Sequence, residues 1–235
     1  MQKKWVAAGL GGFAALVLIA VLASTAGGSG GPSALADQLD SKSVPVFGSI
    51  QGVGAVVDQF EPVLKSLPPS FRKAAPDLYD PARRVKLLGF DPMTSKGLAD
   101  AGIDPTGSLS IAFDSRVVRR SGWGIQPLPI LLLTIADLDK LKAVLKKLGA
   151  EWPQAADPTR PVVLDLGRDW LAGQRGSQLA LVRVMRHQEA ASLFPGFEAF
   201  MKGGGESLGS SDAYRDAFRG APSGSGRGWP RVRSS

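Results

Sequence analysis

The N-terminal stretch constrains this chain more than any other part of the sequence. Lys3 and Lys4 precede an uncharged and largely apolar run of 19 residues, Trp5 to Ala23. As a helix, this run would cover roughly 28 Å at about 1.5 Å per residue, which is close to the hydrocarbon thickness of a bilayer. A positively charged start followed by an apolar run is typical of export signals and membrane anchors. Residues 1–26 are therefore predicted to be an N-terminal membrane anchor or a signal peptide.

Two outcomes stay open for this segment. Its most apolar part, Phe13 to Ala23, is 11 residues long, which lies within the range of about 7–15 residues for the core of a signal peptide. The small residues Ser24 and Ala26 also provide a cleavage site. We expect the segment to be retained as a transmembrane helix or signal anchor that contacts the lipid bilayer through Trp5–Ala23. Cleavage near Ala26 is the alternative.

The same pattern predicts the location of the protein. Basic residues beside an apolar segment favour the cytoplasmic side, so Lys3 and Lys4 predict a cytoplasmic N-terminus. The protein would then be a single-pass protein of the bacterial cell membrane, with its C-terminal domain exported into the envelope. After cleavage, the same domain would be periplasmic or secreted.

Composition excludes several kinds of chemistry and indicates one kind of partner. The 235 residues include no Cys and one His, which excludes disulfides, thiol nucleophiles and zinc–thiolate centres. The formal net charge is +7, and positive charge favours contact with anionic surfaces. An anionic surface or envelope polymer is therefore a candidate second partner. No nucleic-acid partner is expected for an exported domain, and protein partners stay open.

The chain after residue 26 divides by composition into three parts. Residues 27–43 are rich in small residues and are predicted to be a flexible linker. Residues 44–220 carry both strand and helix patterns, which predicts an exported α+β domain with an antiparallel or mixed sheet and helices packed on one face. Residues 221–235 are predicted to be a disordered basic tail. An α+β domain is expected to continue into a strand after Arg219, and the sequence shows none there, so truncation or frame alteration of a longer protein is an alternative explanation of the tail.

Apolar periodicity and turn residues predict the elements of the α+β domain. A continuous apolar run at Leu128–Ile135 predicts a central strand buried on both faces. Asp137 as N-cap and Gly149 beyond the last turn delimit the clearest helix. The predicted helices are Ser49–Leu67, 70–78, Asp137–Leu148, Gln188–Lys202 with an interruption at Pro195–Gly196, and Asp212–Arg219. The predicted strands are Ser108–Asp114, Leu128–Ile135, Arg160–Leu166, and a hairpin of Trp170–Gly173 with Gln178–Met185.

Two Asp-Pro segments precede the first of these strands. Asp91 is predicted to cap a short helix that begins at Pro92, where a missing N–H costs nothing. Gly102 is predicted to end that helix in the left-handed conformation. Asp104 then begins a turn that leads into the strand at Ser108.

No catalytic, cofactor-binding or metal-binding residue is predicted. Gly27–Gly31 matches the pattern G-x-S-x-G, but it lies in the predicted linker and not on a strand-to-helix turn. His187 is the single histidine and is predicted to be a surface or capping residue. Gly52–Gly54 lacks the third glycine of a dinucleotide fingerprint, and Lys202–Gly205 has the wrong order for a phosphate loop.

A non-enzymatic binding or structural role is therefore favoured, and whether the protein is an enzyme stays open. One alternative is a secreted hydrolase that uses two carboxylates. Another is a binder of anionic envelope polymers through surface arginines. The candidate carboxylates are Asp91, Asp100, Asp104, Asp114, Asp165 and Asp169; the candidate arginines are Arg116, Arg119, Arg120 and those of the tail.

The segments Gly89-Phe90-Asp91-Pro92 and Ala101-Gly102-Ile103-Asp104-Pro105, with a strand after the second, carry one resemblance. They resemble a broad group of uncharacterised exported bacterial proteins that have an N-terminal anchor. Looser matches lie at Asp169–Gly173 and Ser211–Phe218. The resemblance implies an anchored, exported domain and no established activity, so it assigns no functional residue.

Overall fold

The computed structural model of the protein describes residues 36–44, 46–59, 62, 79–121, 124–153, 161–166, 170–184 and 187–212. The predicted anchor, the predicted tail and the helices expected at 70–78 and beyond Asp212 lie outside the described residues. Within the described ranges, no helix has both the length and the apolar character needed to span a bilayer.

A six-stranded sheet with the order β1-β2-β3-β6-β5-β4 forms the centre of the described domain. Each neighbouring pair of strands is antiparallel. The predicted α+β class with an antiparallel sheet is therefore confirmed. The strands are β1 (Val46–Gln51), β2 (Ser108–Ser121), β3 (Gly124–Thr134), β4 (Val162–Asp165), β5 (Trp170–Arg175) and β6 (Gln178–Arg183).

Helices lie between and after these strands. In chain order they are α1 (Val53–Asp58), α2 (Pro81–Leu88), α3 (Ser95–Asp100), α4 (Leu138–Lys147) and α5 (His187–Lys202). Short 3-10 helices cover Ala36–Gln38 and Leu208–Ser210.

The central strand β3 is buried on both of its faces, as its continuous apolar run predicts. Leu131 and Leu133 pack into one apolar cluster with residues of α1, α3 and α4. Ile130 and Leu132 pack into a second cluster, which contains the apolar residues of α5. The expectation of helices on one face is thus corrected: helices cover both faces, because successive side chains of a strand point to opposite sides and both sets here are apolar.

Helix α5 covers the second face with one apolar stripe. Leu193, Phe197, Phe200 and Met201 recur at spacings of three and four residues and are buried. The rings of Phe197 and Phe200 are stacked, with centroids 6.1 Å apart. The helix continues through Pro195, where an interruption was expected. Burial of the stripe on both sides of this residue offsets the loss of one backbone hydrogen bond.

Helix α4 has the boundaries that its sequence predicts. The Asp137 carboxylate accepts hydrogen bonds from the backbone N–H groups of Asp139 and Lys140, both at 3.1 Å. At the other end, Gly149 adopts a φ of 95°, in the left-handed region. Both ends follow from local chemistry, which explains why the sequence predicts them.

A helix was expected at Ser49–Leu67. Its described part, up to residue 59, is the end of a strand followed by a short helix, and residues 60, 61 and 63–67 lie outside the described residues. Ile50 pairs with Leu109 on β2, and Gly52 has a φ of 68°. Gly52, in the left-handed conformation, separates β1 from α1, which begins at the next residue, Val53. The predicted start of the helix was wrong because Ile50 and Val53 satisfy a helical spacing, while the partner strand that selects the extended conformation at Ile50 lies some sixty residues away. The prediction of a helix is confirmed over Val53–Asp58.

Residues 36–44, called the entry segment below, pack against residues 203–211. Ala36 and Leu39 are buried, and the N–H of Leu208 donates to the carbonyl of Leu39 at 2.6 Å. The predicted linker therefore ends earlier than residue 43, since this part of the chain already excludes water and pairs its backbone groups.

Replacing Phe197 by Ala tests the role of the second apolar cluster. Phe197 is fully buried, so Phe197→Ala is expected to lower the free energy of unfolding by about 3–5 kcal/mol. Urea denaturation of the full chain measures this loss. Val85→Ala on α2 is the control, because Val85 is exposed and the expected change is within about 0.5 kcal/mol. Equal effects of the two substitutions would contradict the packing described here.

Candidate interaction site at the entry end of the sheet

A wide β-bulge interrupts β2 at the end of the sheet where the entry segment joins β1. Phe113 pairs with Pro129 and Val118 pairs with Pro127. Four residues of β2, Asp114–Val117, therefore face a single residue of β3, Leu128. Pro127 and Pro129 have no backbone N–H to donate to a regular ladder of hydrogen bonds. The break in strand pairing lies between these two prolines. Bulges of this kind redirect side chains and increase local twist.

An ion pair between Asp114 and Arg116 lies within the bulge. The Asp114 side chain has no exposed surface, and Arg116 is 27% exposed. The Nε and Nη2 groups of Arg116 donate to the two oxygens of Asp114 at 2.9 and 2.7 Å, and the backbone N–H of Arg116 adds a third bond at 2.7 Å. This bidentate geometry compensates the burial of the Asp114 charge.

Asp40 of the entry segment joins this pair. Its Oδ2 lies 3.9 Å from Nη1 of Arg116 and accepts a hydrogen bond of 2.7 Å from the Ser43 hydroxyl. Burial alone would raise the pKa of Asp40, but the Ser43 hydroxyl, the Lys42 N–H and the Arg116 charge together hold this pKa below its usual value. The hydrogen bonds that Arg116 donates to Asp114 raise the pKa of Arg116, against the opposite effect of burial. Asp40 and Arg116 are thus held in their charged forms.

The backbone around the bulge fastens two other parts of the chain. The N–H of Ser115 donates to the carbonyl of Ser43 at 2.8 Å. On the other side, α5 approaches so closely that a Cβ at Gly196 would overlap the carbonyl oxygen of Arg116. The bulge therefore holds the entry segment and α5 at one end of the sheet.

Beyond the bulge, β2 and β3 continue as a two-stranded ribbon. We call Val118–Ser121 and Gly124–Pro127 the arm. Its pairs run from Val118 with Pro127 to Ser121 with Gly124, whereas β1 pairs with β2 only as far as Phe113. Residues 124–127 are exposed. Among the described residues, the arm is the part of the sheet that extends past its neighbouring strands.

The arginines proposed from the sequence have different surroundings. Arg116 is committed to Asp114 and Asp40, so its expected role as a free surface charge is corrected. Arg119 lies on the arm, and its Nη2 donates to Oε1 of Gln126 across the ribbon at 2.7 Å. Arg120 pairs with Ile125 in the strand register. The tail arginines lie outside the described residues.

The described candidate carboxylates lie on different elements, and most have a local partner. Asp91 accepts bonds from Nε and Nη2 of the buried Arg84 at 2.7 and 2.9 Å. It does not cap a helix at Pro92, because α3 begins at Ser95 with Thr94 as its N-cap. Asp91 is turned instead toward Arg84 and the N–H of Met93.

Other predicted turn residues have the expected roles. Gly102 adopts a φ of 80° after α3, and a side chain there would overlap the carbonyl of Asp137. Asp104 accepts bonds from the N–H and hydroxyl of Thr106 at 2.8 and 2.7 Å, which forms the predicted turn. Asp100 contacts Lys96 at 2.6 Å on the surface of α3. Asp165 ends β4, and Asp169 lies outside the described residues.

The remaining motifs have structural positions. His187 is the first residue of α5. Gly54 packs against Pro105 and Ser95 with no room for a Cβ, so the Gly52–Gly54 segment permits close packing of α1. Gly203–Gly205 follows α5, where Nη1 of Arg175 donates to the carbonyl of Met201 at 3.2 Å. Gly27–Gly31 lies outside the described residues.

Sequence reasoning missed Asp40 and Asp58. Asp58, at the end of α1, accepts bonds from the hydroxyl and N–H of Ser95 at 2.6 and 2.8 Å, and these bonds lower its pKa. Asp40 carries a local signal, a side-chain acceptor followed three residues later by Ser43, which is typical of a turn. Asp58 carries none, because its partner lies 37 residues further along the chain.

Within the described ranges, no group of three or more His, Cys, Asp or Glu residues is placed to hold a metal ion. The chain matches no protein-family model, no curated protein and no solved structure. The resemblance to exported bacterial proteins therefore stays a prediction.

Removal of Arg116 tests the ion pair in the bulge. Arg116→Met leaves the buried Asp114 carboxylate uncompensated and is expected to lower the free energy of unfolding by about 3 kcal/mol. Adding Asp114→Asn is expected to restore most of that loss. Lys96→Met is the matched control, because the Lys96–Asp100 pair is exposed and such pairs contribute about 0–1 kcal/mol. Chemical denaturation measures these changes in the free energy of unfolding. An Arg116→Met variant as stable as the parent protein would refute the claim that Arg116 compensates the buried charge of Asp114.

Removal of the Ser43 hydroxyl tests the charge state of Asp40. The folded pKa of Asp40 is lowered, so its contribution to stability is present above the unfolded pKa of about 4 and is lost as pH falls through the lower, folded value. Ser43→Ala is expected to move the pKa of Asp40 upward and to reduce this acid-dependent loss. Carboxyl NMR titration measures the shift, and Asp58 is the internal control whose pKa stays unchanged.

Proposed function

We propose that this protein is a bacterial envelope protein in which an N-terminal apolar segment tethers an exported α+β domain to the cell membrane, and that the domain has a binding or structural role without catalysis. The observation that supports a role without catalysis is the set of hydrogen bonds and ion pairs that the described acidic side chains make. Four of the carboxylates considered for chemistry, Asp91, Asp100, Asp104 and Asp114, are bound by cations, hydroxyl groups or backbone N–H groups.

The surroundings of the best-buried acids support this proposal. A hydrolase that uses two carboxylates needs one of them protonated near neutral pH, which requires a raised pKa. Asp91 and Asp114 each accept two hydrogen bonds from a guanidinium group, so both carboxylates already have partners within the fold. Asp40 is held ionised by Ser43 and Arg116. These contacts support a structural use of the carboxylates and oppose acid catalysis.

The tether is supported by the sequence and by the position of the entry segment. The 19-residue uncharged run ends at Ala23, and the packed domain has begun by Ala36. A separation of this size joins an apolar segment to a domain without requiring the domain to enter the bilayer. Lys3 and Lys4 support export of the domain.

Membrane extraction of the full chain tests the tether. After expression in a bacterial host, the protein is expected to remain in the membrane pellet during alkaline extraction, with the intact mass of all 235 residues. Protease added to spheroplasts is expected to digest the domain. Leu16→Arg, which places a charge in the apolar run at a cost of about 2.5–3.5 kcal/mol for insertion, is expected to shift the protein out of the pellet, whereas Leu16→Val leaves it there.

Three results would contradict this proposal. A full-length protein in the soluble cytoplasmic fraction would refute both tether and export. A species that begins at Gly27 in the exported soluble fraction would refute the tether and favour a diffusible binder or a secreted hydrolase. Hydrolysis of a defined substrate that is lost on a single Asp replacement, with folding unchanged, would refute the non-catalytic role.

A further inference from the structure

We propose that an apolar strip on the sheet, beside the unpaired Arg183, binds the anion of a long-chain fatty acid. The strip lies on the face that α1, α3 and α4 cover, beyond these helices. This inference rests on the binding role proposed above, to which it gives a ligand class, and it does not depend on the tether. The apolar strip consists of residues of β1, β2 and β3, namely Val46, Phe113, Val118, Ile125, Pro127 and Pro129.

The strand register places the residues of the apolar strip on one face of the sheet. Phe113 pairs with Val46 on one side and with Pro129 on the other. Residues directly opposite each other in a sheet share a face, and so do residues two apart in one strand. Pro129 is two residues from Leu131, which packs with the helices in the first apolar cluster. The strip is therefore the continuation of the helix-covered face toward the arm.

The apolar strip is surface that the described helices leave partly exposed. Ile125 is 66% exposed and Val46 is 38% exposed, and these are two of the three large apolar side chains that are exposed in the described part of the chain. Phe113 is half-buried, as is Val118, which pairs with Pro127. Neither Phe113 nor Val118 belongs to the two apolar clusters of the core. Exposed apolar side chains that adjoin one another in this way are typical of a binding surface, whereas isolated ones are not.

One cation, Arg183 of β6, lies beside the apolar strip. It follows Val182, which pairs with Ile130, so Arg183 is the neighbour of Pro129 and lies on the same face. Arg183 is half-buried, and its Nε is buried without a hydrogen-bond partner. No carboxylate of the described residues forms an ion pair with it. Because burial without a partner disfavours a charged group, this guanidinium favours the binding of an anion.

This combination fits a ligand that has one anionic group and an otherwise apolar body. A carboxylate accepts two hydrogen bonds from a guanidinium group in the favoured geometry. The six residues of the strip have no side chain that forms hydrogen bonds. A ligand rich in polar groups, such as an extended peptide, would therefore leave those groups unpaired on an apolar surface. The anion of a fatty acid has no such groups apart from its carboxylate.

The dimensions of the sheet agree with an acyl chain that lies across the strands. Three strand spacings separate Arg183 on β6 from Val46 on β1, which is about 14 Å. With its carboxylate at Arg183, the chain would cross β3 and β2 over Pro129 and Phe113, and each methylene that leaves water adds to the affinity. A second copy of the protein is a poorer occupant, because a two-fold interface through this strip would bring two Arg183 side chains together.

Photolabelling of the full chain tests this inference. The protein is placed in phosphatidylcholine nanodiscs with a fatty acid that carries a diazirine on its chain, and the labelled peptides are identified by mass spectrometry after irradiation. Label is expected on the peptides that contain Phe113 and Ile125. An excess of dodecanoate is expected to remove this label. The methyl ester of dodecanoate, which has no charge, is expected to leave most of it in place.

Matched variants separate the apolar strip from the rest of the surface. Arg183→Gln is expected to lower the affinity for dodecanoate in this competition about tenfold, which corresponds to the loss of a charge-assisted hydrogen bond. Arg83→Gln removes a basic residue that is exposed on α2 and leaves the affinity unchanged. Val46→Asp places an anion on the strip and is also expected to weaken the binding of dodecanoate. Val85→Asp, at an exposed side chain of α2, has no effect. Equal denaturation midpoints confirm that the variants are folded.

The outcomes decide on this inference separately from the tether. Label on the apolar strip that the methyl ester removes as well as dodecanoate does would overturn the assignment of an anion, and so would an unchanged affinity in Arg183→Gln. Label that dodecanoate removes only from other peptides would overturn the site. These results leave the tether intact, because alkaline extraction measures it without ligand. Competed label on the strip of a protein that leaves the membrane pellet would support this inference and count against the tether alone.

Discussion

Burial of both faces of β3 is the constraint on which the rest of this structure depends. Leu131 and Leu133 point to one side, and Ile130 and Leu132 point to the other. A sheet whose central strand is apolar on both faces must be covered twice. Helices α1, α3 and α4 cover one face, and α5 covers the other. On β5, Gly173 lies directly under Met201 of α5, where a Cβ would overlap the Met201 side chain.

The bulge in β2 is the second organising feature, because it joins three parts of the chain that are distant in sequence. Arg116 compensates Asp114, which would otherwise be a buried lone charge, and the same guanidinium approaches Asp40. Its carbonyl also lies against Gly196 on α5. One arginine therefore contributes to the position of the entry segment, the bulge and the covering helix. The arm is a consequence of this arrangement: once the register has shifted at the bulge, β2 and β3 continue past the strands that flank them.

Several carboxylates of this domain are held in place by hydrogen bonds. Guanidinium groups donate to the carboxylates of Asp91 and Asp114, and hydroxyl groups donate to those of Asp40 and Asp58. The pKa values of Asp40 and Asp58 are lowered. These two groups therefore stabilise the fold at neutral pH, and their contribution is lost at acid pH.

Features that depend on neighbouring residues were determined by the sequence alone. The N-cap Asp137, the left-handed Gly102 and Gly149 and the turn at Asp104 depend on residues close in the chain, so pattern and spacing predict them. The apolar run of β3 is itself a property of the sequence. Features that depend on distant partners were decided only by the tertiary structure. Ile50 is a strand residue because Leu109 pairs with it. Asp40 and Asp114 lie close together because both contact Arg116. The basic, proline-containing segment around Ile125 forms two strands because its two halves pair with each other beyond the bulge. The physical reason is the same in each case: a hydrogen bond or ion pair between residues far apart in the chain selects among local conformations whose own free energies differ little.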